Sequence, residues 1–268
     1  MLRVARMPYL NSDVFYHSWP AGVFELRPLV PRAMALAMDE GQIDAGPLPV
    51  VEWFRMEDRL IPLGDFCVAT GERAVSILLF SKVPAGELGG RRIAVTEHTS
   101  TSVQLLRLLL AARWRVEPAG LVLPDEPADA LLLIGDPALR SRHGVDGRPY
   151  VYDLGAEWHA HTSGLPFVFA HWVARRDADP PQVALLERTI DGCLTAGLAD
   201  IDAIASANRA GLPAVEAAAY VRGFTYRMGP PQQAALELFR SMLGRLPDWR
   251  PASPRAQAAS PRTRSGRD

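Results

Sequence analysis

Short apolar runs alternate with amphipathic stretches along most of this chain. The alternation predicts strands over 2–7, 24–29, 43–48, 60–70, 75–81, 91–96, 130–134, 150–154 and 167–174. Between them the pattern predicts helices near 12–18, over 32–39 after Pro31 and before Gly41, and over 50–55, 105–114 and 157–162. Beyond Pro180 the pattern is helical, over 182–198, 201–209, 213–224 and 231–243. Strands alternating with helices predict an α/β class with parallel pairing. The two long apolar strands, 75–81 and 167–174, bracket a compact middle unit. If both cross between lobes, the chain has a discontinuous lobe of 1–75 and 175–249 and a second lobe of 76–174, with a ligand cleft between them. A single open doubly wound sheet with helical additions is the alternative. From Arg250 the chain is rich in Pro, Ser, Ala and Arg, and 250–268 is expected to be a disordered tail.

Composition narrows the partners. Of 268 residues 48% are hydrophobic, enough for a substantial core, and the net charge of −1 gives no field favouring nucleic acid or an anionic membrane. Cys67 and Cys193 are too few and too far apart for a disulfide framework or a zinc site. No apolar run is long enough to span a membrane. The N-terminus enters a strand pattern directly, without a basic-then-apolar leader, and a cytoplasmic protein is expected.

Four strand-to-helix junctions end in polar or turn-forming residues: 8–11, 46–49, 97–102 and 135–137. In an α/β fold such strand ends carry the ligand groups. Thr99, Ser100, Thr101 and Ser102 present four successive hydroxyls at a helix start, where free backbone N–H groups suit a carboxylate or phosphate. One hydroxyl would suffice for an ordinary N-cap. Asn11 either bonds a ligand or closes its own turn. Ser76 either faces the cleft or is a small core residue bonded to a neighbouring carbonyl. Asp136 either binds ligand or caps the helix after Pro137, and Asp44 is a strand-end carboxylate satisfied by backbone. His159, His161 and His171 fit no helical metal motif, and no dinucleotide, phosphate-loop or nucleophile-elbow signature occurs.

Seven phrases carry a resemblance. They are Met7-Pro8-Tyr9-Leu10-Asn11, Gly41-Gln42-Ile43-Asp44-Ala45-Gly46-Pro47, Ser76-Ile77-Leu78-Leu79-Phe80-Ser81-Lys82, Thr101-Ser102-Val103-Gln104-Leu105-Leu106, Leu133-Ile134-Gly135-Asp136-Pro137-Ala138-Leu139, the stretch from Tyr150 to Trp158, and the stretch from Thr162 to Ala170. In this order, over about residues 3–245, they resemble the chorismate dehydratase family of the futalosine route to menaquinone. The resemblance implies a two-lobed fold of the periplasmic-binding-protein type II kind. It implies conversion of chorismate to 3-[(1-carboxyvinyl)oxy]benzoate and water. It also implies catalytic roles for Asn11 and Ser76, and substrate binding by Tyr9, Pro47, Thr99, Ser100, Thr101, Ser102 and Asp136. No metal, cofactor, nucleic acid or membrane is implied, and chorismate is the expected small-molecule partner. Val75 stands where the family often has Gly. The alternatives are a cytoplasmic binding protein for a small carboxylate and the sister enzyme of the same route, whose Ser-Pro-Cys-Pro-Asn-Asp opening is absent here.

Overall fold

The computed structural model describes residues 1–246, so the expected tail over 250–268 lies outside the described residues. The chain begins with β1 (Arg3–Arg6), a 3-10 helix (Leu10–Phe15), β2 (Glu25–Pro28), α1 (Pro31–Asp39), β3 (Ala45–Pro49), α2 (Val50–Met56) and β4 (Leu60–Thr70). It then enters β5 (Ile77–Ser81), β6 (Arg92–Val95), α3 (Thr101–Leu109), which ends in a π turn over Leu110–Trp114, β7 (Gly120–Val122), β8 (Ala130–Ile134), α4 (Gly135–Arg140), β9 (Tyr150–Asp153) and α5 (Leu154–His161). It closes with β10 (Phe167–Arg175), α6 (Pro180–Ala199), α7 (Ile201–Ser206), α8 (Ala214–Arg222), β11 (Phe224–Arg227) and α9 (Pro230–Leu243).

The strands form two sheets, ordered β11-β4-β10-β3-β1-β2 and β7-β6-β8-β5-β9. The single doubly wound sheet is thereby ruled out. The chain passes from one sheet to the other at 71–76 and returns at 162–166. Strand β10, grouped with the middle segment in the sequence reading, pairs with β3 and β4 of the first sheet.

The prediction of parallel pairing holds only in part. β1 runs parallel to β2 and β3, and β6 to β7 and β8. β10 is antiparallel to both its neighbours, β11 is antiparallel to β4, and β5 is antiparallel to β8 and β9. The crossovers are the reason: β4 leads out of the first sheet and β10 leads back into it, so they run in opposite directions. The helix expected over 213–224 stops at Arg222, and Phe224–Arg227 instead adds an edge strand beside β4. The Phe-Thr-Tyr-Arg alternation there buries Phe224 and Tyr226 in the core.

Two cores result. One gathers Phe15, Trp172 and Tyr226, edge to face, under α6, α7 and α8. The other gathers Trp158, Phe167 and Phe239, so α9 reaches back over the middle of the chain. α6 packs against the 3-10 helix at Gly197, where a Cβ would stand 2.4 Å from the Val14 carbonyl oxygen. Backbone rather than a side-chain tip blocks that space. Gly197→Ala is therefore expected to cost about 1–3 kcal/mol of stability by overpacking, read as a lower urea midpoint at an unchanged slope.

The first crossover is unusual in its backbone. Val75, a β-branched residue, has a φ of 61°, a conformation that glycine adopts freely and valine does not. The strain is held in place by Asp153 at the end of β9. Its carboxylate accepts from the N–H groups of Ala74 (3.0 Å) and Val75 (2.7 Å), and also from Gly155 (2.9 Å) and Ala156 (3.2 Å), capping α5. One buried side chain thus fixes both the crossover and the helix beside it.

Candidate active site

The strand ends meet in a cleft between the two sheets. Its walls come from the end of β1 (Met7, Tyr9, Asn11, Ser12), Pro31, Pro49, Val68, the crossover (Ser76, Ile77), the start of α3 (Thr99–Ser102), the end of β8 (Ile134, Gly135) and β10 (Phe169, Ala170). Tyr9, Asn11, Ser76, Thr99, Ser100, Thr101 and Ser102 therefore share one site. A larger hollow of about 810 Å³ lies on the outer side of α3 and β7 and gathers only Thr99 of that set.

The Pro-Tyr-Leu-Asn turn is held from both sides. Tyr16 donates its hydroxyl to the Ala5 carbonyl (3.1 Å) and accepts from the Met7 N–H (3.2 Å), fixing the strand end. Asp136, across the cleft on α4, accepts from the Leu10 N–H (3.3 Å). Asp136 holds that turn through Oδ1 and is not among the residues that line the cleft. Pro47 does not line it either: it is buried inside β3 opposite Trp172, and Pro49 takes the strand-end place. Asp44 is bonded to the Arg3 N–H (2.8 Å) and guanidinium, outside the cleft.

Tyr9 lies against the backbone of Gly135. Gly135 has a φ of 61°, and a Cβ there would stand 2.7 Å from the Tyr9 ring. Glycine is needed twice over, for the turn and for the close approach. Burial, reinforced by the Asp136 charge, pushes the Tyr9 phenol up to about 12. It is a neutral hydrogen-bonding group at ordinary pH.

Asn11 does not close its own turn. Its Oδ1 accepts only from the Ser12 hydroxyl (3.3 Å), and its amide nitrogen bonds nothing among the described residues. Ser76 is buried, 2% exposed, and is one of the residues that line the cleft. That hydroxyl donates to the Ala74 carbonyl at a long 3.3 Å and accepts from the Tyr220 hydroxyl at 2.8 Å. Tyr220 stands on α8, 144 residues away, in an alanine-rich stretch with no sequence signal pointing to the cleft.

The four hydroxyls at the start of α3 divide into two pairs. Thr101 donates to the Phe169 carbonyl of β10 (3.1 Å) and Ser100 to the Glu52 carboxylate of α2 (3.0 Å), both tying the two sheets together. The Thr99 hydroxyl is buried without a partner, and Ser102 has none among the described residues. Ser100, at the N-cap position, makes no side-chain cap bond among the described residues. The first-turn N–H groups have no partner within a helix. Thr101→Ala is accordingly expected to lower stability, whereas Thr99→Ala with Ser102→Ala should raise KM for an anionic substrate roughly tenfold or more. Thermal melting and steady-state kinetics on the two variants check this division, which equal effects on KM would overturn.

Among the described residues that line the cleft there is no charged side chain. Its donors are hydroxyls, an amide and helix-end N–H groups. Such a site stabilises negative charge by fixed dipoles, without a cation.

Similarity to known proteins bears on the family and the fold. The chain is 30% identical to the chorismate dehydratase of Thermus thermophilus over 258 residues, covering 88% of this chain and 93% of that protein. A solved structure from Archaeoglobus fulgidus superposes with a TM-score of 0.71 at 20% identity, covering 91% of this chain and 96% of the other. The periplasmic aliphatic sulphonate binding protein of Escherichia coli superposes with a TM-score of 0.58 at 18% identity, covering 90% and 91%. The fold is thus the two-lobed periplasmic-binding-protein-like one. A family model described as menaquinone biosynthesis matches residues 2–245, a span that takes in every wall of the cleft. With its fold, its strand-end turn and its open α3 start all inside that match, the chain belongs to the menaquinone biosynthesis family.

Proposed function

We propose that this protein is a chorismate dehydratase, a carbon–oxygen lyase acting in the cytoplasm on the futalosine route. The observation that carries the reading is the convergence of Asn11, Ser76 and the free start of α3 in one uncharged cleft, in a chain so similar to a chorismate dehydratase. Chorismate carries two carboxylates on and beside a cyclohexadiene ring. Loss of the ring proton next to the enolpyruvyl ether, with departure of the neighbouring hydroxyl, yields an aromatic ring and one water. The C–H electron pair enters the ring, the C–O bond breaks, and the proton leaves with the hydroxyl.

Charge developing in that step spreads onto the ring carboxylate. The N–H groups and the Thr99 and Ser102 hydroxyls at α3 are placed to receive it. Asn11, with a free amide N–H₂, and Ser76 orient the leaving hydroxyl or the ring. No carboxylate or imidazole lines the cleft among the described residues. The base is then the substrate's own enolpyruvyl carboxylate, folded over the ring, and positioning supplies much of the rate. The space in the cleft is about 70 Å³, against the roughly 300 Å³ or more of a typical small-molecule site. The two lobes must part to admit the ring.

This account has a pH signature. The one cleft-lining group with a displaced pKa is Tyr9, raised to about 12 by burial and Asp136, so it stays protonated across the working range. With the base carried by the substrate, kcat should be flat from about pH 6 to 9. A bell-shaped profile with a limb near neutrality would assign the base to a protein histidine or carboxylate instead. Ultraviolet absorbance of the aromatic product, followed after adding chorismate to purified protein, tests the activity itself. Saturable binding of chorismate without product would leave a solute-binding protein.

A further inference from the structure

We infer that Tyr220 is a positioning residue that aims the Ser76 hydroxyl proton at the substrate. The inference rests on the dehydratase reading of the cleft and adds to it a residue of the opposite lobe.

Tyr220 Oη and Ser76 Oγ are 2.8 Å apart, a normal O–H···O distance. Tyr220 is 5% exposed and sits among apolar neighbours, with Phe224 edge-on at 5.1 Å. Its hydroxyl has no other hydrogen-bond partner among the described residues. A buried hydroxyl proton needs an acceptor, so Tyr220 donates and Ser76 accepts. Burial also drives the Tyr220 phenol far above its ordinary range, so it keeps that proton at any working pH.

The direction of this bond decides what Ser76 can do. With one lone pair occupied by Tyr220, the Ser76 proton points away from α8. Its present acceptor is the Ala74 carbonyl at 3.3 Å, which already takes a 2.7 Å bond from the Ser76 N–H. That second bond is long and weak beside a typical 2.7–2.8 Å hydroxyl contact. A substrate oxygen in the cleft competes easily for the proton. A hydroxyl that accepts a hydrogen bond is also a better donor. The Ala74 and Val75 N–H groups are fixed by Asp153, so the Ala74 carbonyl cannot follow the serine.

The test is a double-mutant cycle on turnover of chorismate. Tyr220→Phe keeps the ring in its apolar seat and removes only the donor. It should lower kcat about tenfold or more with KM changed less than about threefold. In a Ser76→Ala background the same change should lower kcat less than about twofold, because the proton it aims is gone. Equal losses in the two backgrounds, or wild-type kcat in Tyr220→Phe, would overturn the inference while leaving the dehydratase reading intact. Absence of aromatic product from the wild-type protein would overturn both. If Tyr220→Phe does not fold, 3-fluorotyrosine placed at 220 preserves shape and strengthens the donor. A higher kcat at unchanged KM is then expected, and an unchanged kcat would overturn the inference.

Discussion

Asn11→Asp should lower kcat for chorismate roughly a hundredfold or more while leaving thermal stability close to wild type. The two side chains have the same shape, and the Asn11 side chain makes only one bond among the described residues, to Ser12. A half-exposed position with so little at stake usually changes stability by no more than about 0.5 kcal/mol. Catalysis is another matter. The amide N–H₂ is the free group at the end of the Pro-Tyr-Leu-Asn turn, and the change replaces a donor by a carboxylate. The cleft has no cation to offset it among the described lining residues, and the substrate is a dianion. Loss of one preorganised donor alone costs on the order of 10²–10³ in kcat, and charge repulsion adds a rise in KM. Steady-state kinetics with a parallel melting curve decide the matter. Wild-type kinetics would remove Asn11 from the site.

Asp153→Ala carries the largest expected effect on stability. It removes the acceptor of four backbone N–H groups, two in the crossover and two at the start of α5. The α5 cap alone is worth about 1 kcal/mol. Each buried N–H left unpaired in the crossover adds about 1–3 kcal/mol. A total near 3–7 kcal/mol is expected, a fall in Tm of roughly 10–20 °C for a chain of this size. The same change releases Val75 from its left-handed backbone and lets Ser76, the next residue, drift from Tyr220. Turnover should therefore fall in the surviving folded protein as well. Adding Val75→Gly should restore part of the lost stability, since glycine adopts that backbone without strain. An Asp153→Ala protein that melts like wild type would show that the crossover does not depend on this carboxylate.

Much of this arrangement was legible in the sequence, and the rest was hidden for identifiable reasons. Periodic runs mark their own elements, so β4, β8 and α1 stand close to where the pattern puts them. Strand direction is a property of the crossovers, which no local pattern reports; parallel pairing was therefore expected for β5 and β10 and is not found. The strand Phe224–Arg227 overlaps the helix expected over 213–224 only at Phe224 and is otherwise unannounced, because four residues are too short to signal a change of period. Within the cleft, Tyr9, Asn11 and Ser76 were readable as strand ends or as family phrases. The run of four hydroxyls was readable as a group, but not its division. Which of them serve the fold depends on Glu52 and the Phe169 carbonyl, far away in sequence. Pro47 and Asp136 stand at the expected junctions but are not among the residues that line the cleft. Tyr220 and Asp153 were missed as functional supports, since each acts through backbone or through one hydroxyl across the chain.

The division of labour that emerges is economical in charge. Arginine–carboxylate pairs stand outside the cleft, at Arg3–Asp44 and Arg240–Glu57 for example, and the cleft itself is lined by neutral donors. A binding fold of this kind needs little more to hold a dianion than a free helix start and a few hydroxyls. Conversion to an enzyme then depends on how the ring is folded against Asn11 and Ser76.

Proton NMR of chorismate incubated with the purified protein tests that claim most directly. The account predicts loss of the diene ring signals and growth of aromatic ring protons with the enolpyruvyl methylene retained, in a product lighter than chorismate by one water. Chorismate recovered unchanged, or a product in which the enolpyruvyl group has been lost or transferred, would contradict it.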